Sequence, residues 1–593
     1  MPKHILPVFI LLFPLLLACK PEVNKVVVQE DISPVVIDTF STDWKFRAGE
    51  GRDNHWMNGD YDDSSWQNVK SDKLLNTQKA FLENRFGWYR KTVCLSDSLK
   101  KSIIQKDAAM IHLGRFGGTD EVYLNGKKIG KTGDFPPNHK GYHSNSRSYL
   151  IAKDDINLNG ENHIAIKFHD GWNTGGFLGN EVLRIASAHT NDKIQINVAV
   201  ADSDYVFLSP NPLSITVNLN NKNAWNVDGQ LFVNITTDKF EPVKSDSLNI
   251  TIEGNSISAN TFELTDPEPG FYRYTVQFKR DSAIIGEKKL NLGFEPEKIS
   301  SPVDAKDDFK AFWDNSLKEL ANVSPNYKLT LLPEHSKIDY EIYLVEMRSF
   351  GNELIRGYYA KPKREGKHPV IVEYMGYSSA PWLPGQYWDG FARFILSVRG
   401  QALNKPTNRF GRWITYGLKN KETYYYRGAF MDVVRAVDFV CSRPEIDSER
   451  IAVCGGSQGG AFSFAAAALD KRVKVAAPTI PFLSDYRDYF KIAGWPKSDF
   501  DNYMSKHPEA KWDDIYDLLT YFDIKNLAQW IECPLIMGIG MQDEVCPPHI
   551  NFAAYNQVKG EKRWMAFPES PHCVGQAYYE ESHKFIKEKL NVK

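Results

Sequence analysis

A serine with glycines on both sides lies within residues 453–460, which read VCGGSQGG. Glycine loses conformational entropy on folding, so such a cluster is expected only where the backbone turns sharply or approaches another group closely. The pattern G-x-S-x-G is typical of a strand-turn-helix elbow that exposes a serine hydroxyl above a parallel sheet. Ser457 is therefore the predicted nucleophile, and it needs a base and a carboxylate from elsewhere in the chain.

An aspartate and a histidine that could activate Ser457 follow two later strands. Asp543 lies in GIGMQDEVCPP just past one predicted strand, and His572 lies in FPESPHCVG just past the last one. Enzymes with this elbow carry serine, acid and histidine in that chain order. We therefore predict a triad of Ser457, Asp543 and His572. Glu544 is an alternative acid, although the first position after the strand favours Asp543. Three other histidines do not follow the last strand and are weaker candidates for the base: His507, His549 and His583.

The oxyanion that forms when a serine attacks a carbonyl needs two hydrogen-bond donors. The backbone N–H of Gln458 is one of them by position, because it directly follows the predicted nucleophile. The second should come from the loop after an early strand, where EYMGYSSAPW occupies residues 373–382. Tyr377 in this loop is either a packed aromatic side chain or the residue whose backbone N–H completes the oxyanion hole.

Strands and helices alternate over residues 304–593, beyond a linker that contains proline and serine. Five apolar runs indicate strands covered on both faces, and hence a parallel sheet: residues 369–374, 393–398, 450–455, 534–540 and 563–568. Residues 424–441 form a predicted helix with one apolar stripe: Phe430, Val433, Val434, Val437 and Val440. This region is predicted to be an α/β-hydrolase domain with a doubly wound parallel sheet.

Two predicted β-sandwich domains precede the hydrolase domain. Over residues 31–190, turns separate short strands, and Asn125-Gly126 in VYLNGKKIG is a hairpin signal. Together with YDDSSW and GWYRK, this motif resembles the galactose-binding-like jelly roll that precedes the catalytic domain of many glycoside hydrolases. The resemblance leaves open whether the region binds sugar. Residues 194–298 alternate apolar and polar positions, which predicts an immunoglobulin-like sandwich that spaces and orients its neighbours.

The first 19 residues resemble a lipoprotein signal peptide. Lys3 precedes an apolar run from Ile5 to Leu17 that is short for a membrane-spanning helix. Residues 16–19 read LLAC and resemble the bacterial lipobox, in which the cysteine, here Cys19, becomes the lipid-modified N-terminus. We predict an extracytoplasmic lipoprotein, anchored to a membrane of the periplasm or cell surface. The alternatives are an ordinary secretory signal and a buried core helix.

Composition narrows the expected partners and cofactors. The 593 residues include 72 Lys and Arg against 74 Asp and Glu, which gives a net charge of −2. The overall charge therefore does not favour the binding of nucleic acid. The seven cysteines form no CxxC pair, which argues against a zinc site or a dense disulfide framework. Neither a metal nor a cofactor is expected. Cys546 and Cys573 lie near two triad residues and could form a disulfide in an oxidising compartment.

The C-terminal region, from about Asp307 onward, resembles the acetyl xylan esterase and cephalosporin C deacetylase family, carbohydrate esterase family 7. The resemblance lies in DDFKAFW (307–313), SVRGQ (397–401), GGSQGG (455–460), YFDIKNLAQWIECPLIMGIGMQDEVCPP (521–548) and the terminal histidine loop. It implies that Ser457 is the nucleophile, His572 the base and Asp543 the acid that orients the base. The family usually has glutamate after its catalytic histidine, where this chain has Cys573.

The same resemblance implies roles for residues around the triad. Tyr377 and Gln458 match the family's oxyanion hole. Arg399-Gly400-Gln401 matches its R-G-Q signature, which implies scaffolding near the site. Members of the family tend to form hexamers, so a homo-oligomer is expected unless the two added β domains block that assembly.

This resemblance implies a serine esterase that removes acetyl groups from plant cell-wall carbohydrate, and the triad implies an acetyl-enzyme. A serine peptidase of the prolyl oligopeptidase type shares the elbow G-G-S-x-G-G, but no repeat typical of its propeller precedes residue 307. A third alternative is a carbohydrate-binding lipoprotein with an inactive hydrolase domain. That alternative needs a broken triad, whereas serine, acid and histidine are all present.

Overall fold

The structure is a computed structural model. It describes residues 36–592 apart from 52–54, 79, 81–84, 137–145, 171–175, 179–182, 190–193, 223–225, 281–282 and 385–388. The predicted signal peptide and Cys19 lie outside the described residues. Within the described part of the chain, no helix has the length and apolar character needed to cross a membrane. The chain divides into two compact units, residues 1–190 and 191–593.

The described part of the first unit contains two antiparallel sheets and one α-helix. Its elements are β1 (Ile37–Thr39), β2 (Asp43–Ala48), β3 (Gln67–Lys70), β4 (Phe86–Val93), α1 (Asp97–Lys106), β5 (Asp107–Arg115), β6 (Thr119–Leu124), β7 (Lys127–Thr132), β8 (Ser146–Ala152), β9 (Asn162–His169) and β10 (Arg184–His189). The sheets have the strand orders β1-β10-β5-β8 and β3-β2-β4-β9-β6-β7. Large aromatic side chains such as Trp44, Tyr89 and Phe168 fill the core of this unit.

The hairpin predicted at Asn125-Gly126 is confirmed. Strands β6 and β7 pair in antiparallel register with Leu124 opposite Lys127, which leaves these two residues as the turn. Both have positive φ, 51° for Asn125 and 85° for Gly126, as a type I′ turn requires.

The described residues at the start of the second unit form eight strands in two sheets. They are β11 (Ile194–Val200), β12 (Val206–Phe207), β13 (Leu213–Asn221), β14 (Val227–Thr237), β15 (Pro242–Ile252), β16 (Ile257–Leu264), β17 (Gly270–Arg280) and β18 (Ala283–Phe294). Their orders are β11-β13-β16 and β12-β18-β17-β14-β15. Alternate residues of β13, β14 and β17 are buried and form one apolar core, since side chains on a strand alternate between faces. We call these eight strands the sandwich.

The rest of the second unit contains both strands and helices, and they alternate only after a run of five successive strands. Its elements are α2 (Phe309–Ala321), β19 (Lys328–Leu331), β20 (Tyr340–Ser349), β21 (Glu353–Pro362), β22 (His368–Tyr374), β23 (Ala392–Ser397), α3 (Tyr425–Cys441), β24 (Ile446–Gly456), α4 (Gln458–Leu469), β25 (Val475–Thr479), α5 (Tyr486–Ile492), α6 (Lys497–Lys506), α7 (Trp512–Leu519), α8 (Ile524–Ala528), β26 (Leu535–Gly540), α9 (Pro548–Tyr555), β27 (Lys562–Phe567) and α10 (Gln576–Lys589). We call this region the hydrolase region.

One nine-stranded sheet organises the hydrolase region, in the order β19-β20-β21-β23-β22-β24-β25-β26-β27. The strands from β23 to β27 in this order are parallel, and β19 to β21 form an antiparallel edge. All five predicted strands are confirmed. Strands β19, β20, β21 and β25 were not among the predicted apolar runs. The last of these is a five-residue strand, VAAPT, whose alanines and proline give little strand signal.

Helix α3 confirms the helix predicted over residues 424–441, but its buried surface is wider than the predicted stripe. Nearly every side chain of the helix is buried, because it packs against α2, α4 and the sheet. The parallel strands β24, β26 and β27 all end at one edge of the sheet, and loops at that edge carry the predicted catalytic residues. In open α/β sheets this carboxyl edge is where ligands bind.

Candidate active site

Ser457 lies in a strained turn between β24 and α4. Its φ is 57° and its ψ is −118°, a conformation that non-glycine residues rarely adopt and that costs roughly 1–3 kcal/mol. The turn is fixed from both sides: the N–H of Ser457 donates to the carbonyl of Thr479 at 3.0 Å, and its carbonyl accepts from Ala461 and Phe482 at 3.1 Å each. The serine is therefore held in the elbow by backbone bonds, which leave its side chain free to react.

The glycines around Ser457 make room for neighbouring backbone. A Cβ on Gly455 would lie 2.5 Å from the carbonyl oxygen of Tyr374, and a Cβ on Gly459 would clash with the same oxygen. A Cβ on Gly460 would lie 2.6 Å from the carbonyl oxygen of Thr479. Close approach to β22 and β25 thus explains these glycines, while Ser457 itself carries the positive φ.

Asp543 and His572 meet at the same edge of the sheet. Asp543 follows β26, His572 follows β27, and Nδ1 of His572 donates to Oδ2 of Asp543 at 2.7 Å. The other oxygen of Asp543 accepts the backbone N–H groups of Val545 and Cys546, both at 2.8 Å. The carboxylate is fully buried, whereas the side chain of His572 is 17% exposed. A buried carboxylate with three donors can orient an imidazole that faces substrate.

The hydroxyl of Ser457 contacts the loop that follows β26 and carries Asp543. Its Oγ lies 3.9 Å from Sγ of Cys546, three residues beyond Asp543. Cys546 is buried, and burial raises the pKa of its thiol, so the thiol stays protonated at neutral pH. Cys546 and Cys573 are both free thiols, so the disulfide considered from the sequence is absent from the described residues.

Gln401 and Gln458 connect the two loops that are expected to form the oxyanion hole. Their side-chain amides bond reciprocally, at 3.1 Å and 3.2 Å. Oε1 of Gln401 also accepts the backbone N–H of Ser378 at 3.1 Å, and Oε1 of Gln458 accepts the hydroxyl of Tyr426 at 3.0 Å. The side chain of Gln458 is a buried scaffold, while its backbone N–H opens α4, where a helix has no internal acceptor for it.

Arg399 anchors the segment that carries Gln401. Its guanidinium forms two bonds with the Asp432 carboxylate, at 2.9 Å and 2.7 Å, and both side chains are buried. Burial lowers the pKa of Arg399, but the Asp432 carboxylate outweighs it and leaves the pKa raised. Gly400 has a φ of 68°, which turns the chain from this anchor towards Gln401. The R-G-Q segment therefore connects helix α3 to the predicted oxyanion loops.

The ring of Tyr377 packs among aromatic side chains. Its centroid lies 5.2 Å from that of Trp413 and 5.3 Å from that of Trp495, both edge-on. The side chain of Tyr377 is therefore a packed aromatic, so any part of this residue in the oxyanion hole belongs to its backbone N–H. Its backbone lies next to Ser378, whose N–H bonds to Gln401.

Comparison with known proteins places these residues in a family. The sequence model of the family described as "Acetyl xylan esterase (AXE1)" matches residues 296–589. The acetyl esterase Axe7A of Xylanibacter ruminicola is 28% identical over 300 residues, which cover 48% of this chain and 67% of that protein. The acetyl xylan esterase from Paenibacillus sp. R4 is 33% identical over 98% of its length and 50% of this chain, with a TM-score of 0.47. The chain belongs to the acetyl xylan esterase family.

Acetyl xylan esterases are carboxylic ester hydrolases. As a member of their family, this protein is an enzyme of that class. A further structure, acetyl xylan esterase 1 from Thermoanaerobacterium sp. JW/SL YS485, is 29% identical over 98% of its length and 50% of this chain, with a TM-score of 0.46. The match to the family begins at residue 296. The first unit and the sandwich therefore lie outside the region that defines the family.

The esterase has one group of three side chains, among the described residues, whose ligand atoms are close enough to hold a metal ion. Asp485, Asp488 and His549 offer atoms within 4.8 Å of one another. Both carboxylates already have cationic partners: Nζ of Lys525 lies 3.0 Å from Asp485, and Nζ of Lys239 lies 2.5 Å from Asp488. We therefore assign the group to charge pairing.

His549 supplies the remaining positive charge of this cluster. Its Nδ1 donates to Asp238 of the sandwich at 2.8 Å, and its Nε2 lies 3.5 Å from an oxygen of Asp485 and of Asp488. Burial lowers the pKa of His549, but these three carboxylates outweigh burial and raise the pKa well above its ordinary value. His549, which the sequence considered only as a weaker base, thus joins the sandwich to the hydrolase region.

Replacing His549 with glutamine is expected to destabilise the second unit by about 3–5 kcal/mol, because the buried carboxylates of Asp238 and Asp485 and the partly buried carboxylate of Asp488 lose their shared cation. The folded pKa of His549 is raised, so its contribution is complete below an unfolded pKa of about 6.5 and declines as pH rises towards the folded value. Asp485 and Asp488 have lowered pKa values, so their contribution is present above about pH 4 and is lost on further acidification.

Denaturant unfolding at pH 5.5 and pH 9 checks this prediction. The difference between wild type and His549→Gln should be larger at the lower pH. His507→Gln is the matched control. The partly exposed His507 pairs with Glu509 near the surface and packs on the ring of Tyr503, so the substitution should change stability by less than about 1 kcal/mol. Equal effects of the two substitutions would contradict a charged His549.

Proposed function

We propose that this protein is a serine esterase that removes O-acetyl groups from plant cell-wall polysaccharide or oligosaccharide. The observation that carries the proposal is the 2.7 Å bond between His572 and the buried Asp543, at the sheet edge where Ser457 occupies its strained elbow. Membership of the acetyl xylan esterase family supports the acetyl ester as substrate. The names of the relatives, which include acetyl xylan esterases, support the carbohydrate.

In the proposed reaction, Asp543 keeps the proton of His572 on Nδ1, so that Nε2 can accept the proton of Ser457. The oxygen of Ser457 attacks the acetyl carbonyl, and the backbone N–H groups of Gln458 and Tyr377 stabilise the oxyanion. The sugar hydroxyl then leaves with the proton from His572. Water, deprotonated by His572, attacks the acetyl-serine. The bond from the acyl carbon to Oγ of Ser457 then breaks, acetate is released, and His572 returns the proton to Oγ.

The proposed reaction needs a hydrogen bond between the nucleophile and the base. Oγ of Ser457 lies 3.9 Å from Sγ of Cys546, and transfer of its proton requires that it bond to Nε2 of His572 instead. Catalytic hydrogen bonds of this kind often tighten only when substrate binds.

The architecture and location that we propose follow from the sequence. The first unit is a galactose-binding-like jelly roll, the sandwich is immunoglobulin-like, and residues 304–593 form the α/β-hydrolase domain. A lipid on Cys19 holds the enzyme outside the cytoplasm, where cell-wall carbohydrate is accessible. The two β domains then present the esterase site to oligosaccharide.

Acetate release tests the proposal. The enzyme is expected to liberate acetate from acetylated xylo-oligosaccharides and to leave an N-acetylated peptide intact. A serine-directed phosphonate should stop the release and add one label, located by mass spectrometry on Ser457. Peptide cleavage without acetate release would favour a peptidase, and sugar binding without either activity would favour a binding protein; each result would overturn the esterase proposal.

A further inference from the structure

Gln542, the residue before Asp543, bonds both to the sandwich and to the loop after β27 that carries His572, which we call the histidine loop. Oε1 of Gln542 accepts the backbone N–H of Asn291 on β18 at 2.8 Å, and its Nε2 donates to the carbonyl of Asn291 at 3.2 Å. The same Nε2 donates to the carbonyl of Pro568, after β27, at 2.7 Å. The backbone N–H of Gln542 donates to the carbonyl of Ser570 at 2.9 Å. One side chain therefore joins three segments.

Other contacts between the sandwich and these loops surround Gln542. Nδ2 of Asn291 donates to the carbonyl of Met541 at 3.2 Å. The hydroxyl of Tyr205 forms a short bond with Glu569, three residues before His572, and Nζ of Lys288 lies 3.8 Å from the same carboxylate. The sandwich thus contacts the loop of the acid and the loop of the histidine from one side.

Bonds within each loop do not fix one loop against the other. Asp543 accepts the N–H groups of Val545 and Cys546, which belong to its own loop. Loops at a sheet edge are more mobile than the strands that carry them. Because a displacement of about 1 Å can cost on the order of 100-fold in rate, a histidine and an acid on separate loops need a common support.

We propose that Gln542 is a positioning residue for the esterase reaction, and that strand β18 of the sandwich is part of the active-site framework. Gln542 holds the loops of Asp543 and His572 in register by bonding both to the backbone of Asn291. The proposal rests on the proposed function, since it assigns these bonds to the orientation of the triad. It gives the sandwich, which lies outside the matched family region, a supporting part in the geometry of the triad.

Gln542→Met tests the proposal because methionine keeps the length of the side chain and removes its hydrogen bonds. With p-nitrophenyl acetate, kcat per phosphonate-labelled site is expected to fall about 10–100-fold while KM stays within about twofold. The kcat per labelled site of Gln542→Glu should fall by a similar factor, because its carboxylate would face the carbonyl oxygens of Asn291 and Pro568. Gln557→Met is the matched control: Gln557 bonds through Nε2 to the carbonyl of Ser301 and should keep wild-type kcat.

Counting labelled sites separates positioning from folding, because a merely structural role would reduce the number of sites and leave kcat per site unchanged. If Gln542→Met folds too poorly to label, Asn291→Ala, which removes the bond to Met541, should lower kcat per site about 3–10-fold. Wild-type kcat per site in Gln542→Met or, where that variant fails, in Asn291→Ala would overturn the inference. Since p-nitrophenyl acetate needs the triad but no sugar, a wrong substrate class leaves this test intact, whereas hydrolysis that is independent of Ser457 would overturn both proposals.

Discussion

Replacement of Ser457 by alanine is expected to lower kcat for acetyl ester hydrolysis on the order of 10⁶-fold. Alanine removes the oxygen that attacks the carbonyl, and no acetyl-enzyme can then form. The elbow should survive, because Ser457 is held by backbone bonds to Thr479, Ala461 and Phe482 that alanine can also make. Acetate release and p-nitrophenyl acetate hydrolysis measure the loss, and an unchanged melting temperature would show that the fold is intact.

Ser463→Ala is the matched control for this prediction. Ser463 lies on α4, and its hydroxyl donates to the carbonyl of Gly459 within the helix. The control should keep kcat within about threefold, because this hydroxyl does not reach the sheet edge. Retention of more than a few per cent of activity in Ser457→Ala would place the nucleophile elsewhere in the chain.

Residues and chain order were sufficient to predict much of the hydrolase region. A run of apolar residues reports a strand buried on both faces, so β22, β23, β24, β26 and β27 could be found. The chain order of serine, acid and histidine then predicted three side chains that are far apart in the sequence and that only the fold brings to one edge of the sheet. The bond between His572 and Asp543 shows that these two residues do meet.

The sequence could not reveal the parts of the site that depend on long-range contact. Gln542 looks like an ordinary loop residue until Asn291, some 250 positions earlier, lies against it. Likewise His549 gives no sign of three carboxylate partners, because Asp238 lies 311 positions earlier, in the turn after β14. The glycines of the elbow predicted a sharp turn or a close approach, but not that the carbonyl oxygens of Tyr374 and Thr479 are the groups that exclude a Cβ. Spacing along the chain carries none of this information.

Asp543→Asn is expected to lower kcat about 10⁴-fold without unfolding the protein. One oxygen of Asp543 accepts two backbone N–H groups, from Val545 and Cys546, so the amide oxygen of asparagine must take that place. The amide NH₂ then faces Nδ1 of His572, which can no longer donate and must accept. The proton of the imidazole moves to Nε2, and this tautomer cannot take the proton of Ser457. The measurement is kcat for p-nitrophenyl acetate at neutral pH.

Glu544→Gln gives the sharpest comparison, because Glu544 is the exposed neighbour that the sequence left as an alternative acid. The structure bonds Asp543 to His572, so Glu544→Gln should retain kcat within about twofold, while Asp543→Asn loses four orders of magnitude. The reverse result would transfer the orienting role to Glu544. Equal losses in both variants, with unchanged melting temperatures, would contradict the tautomer argument, since only the residue that contacts Nδ1 can set the position of the imidazole proton.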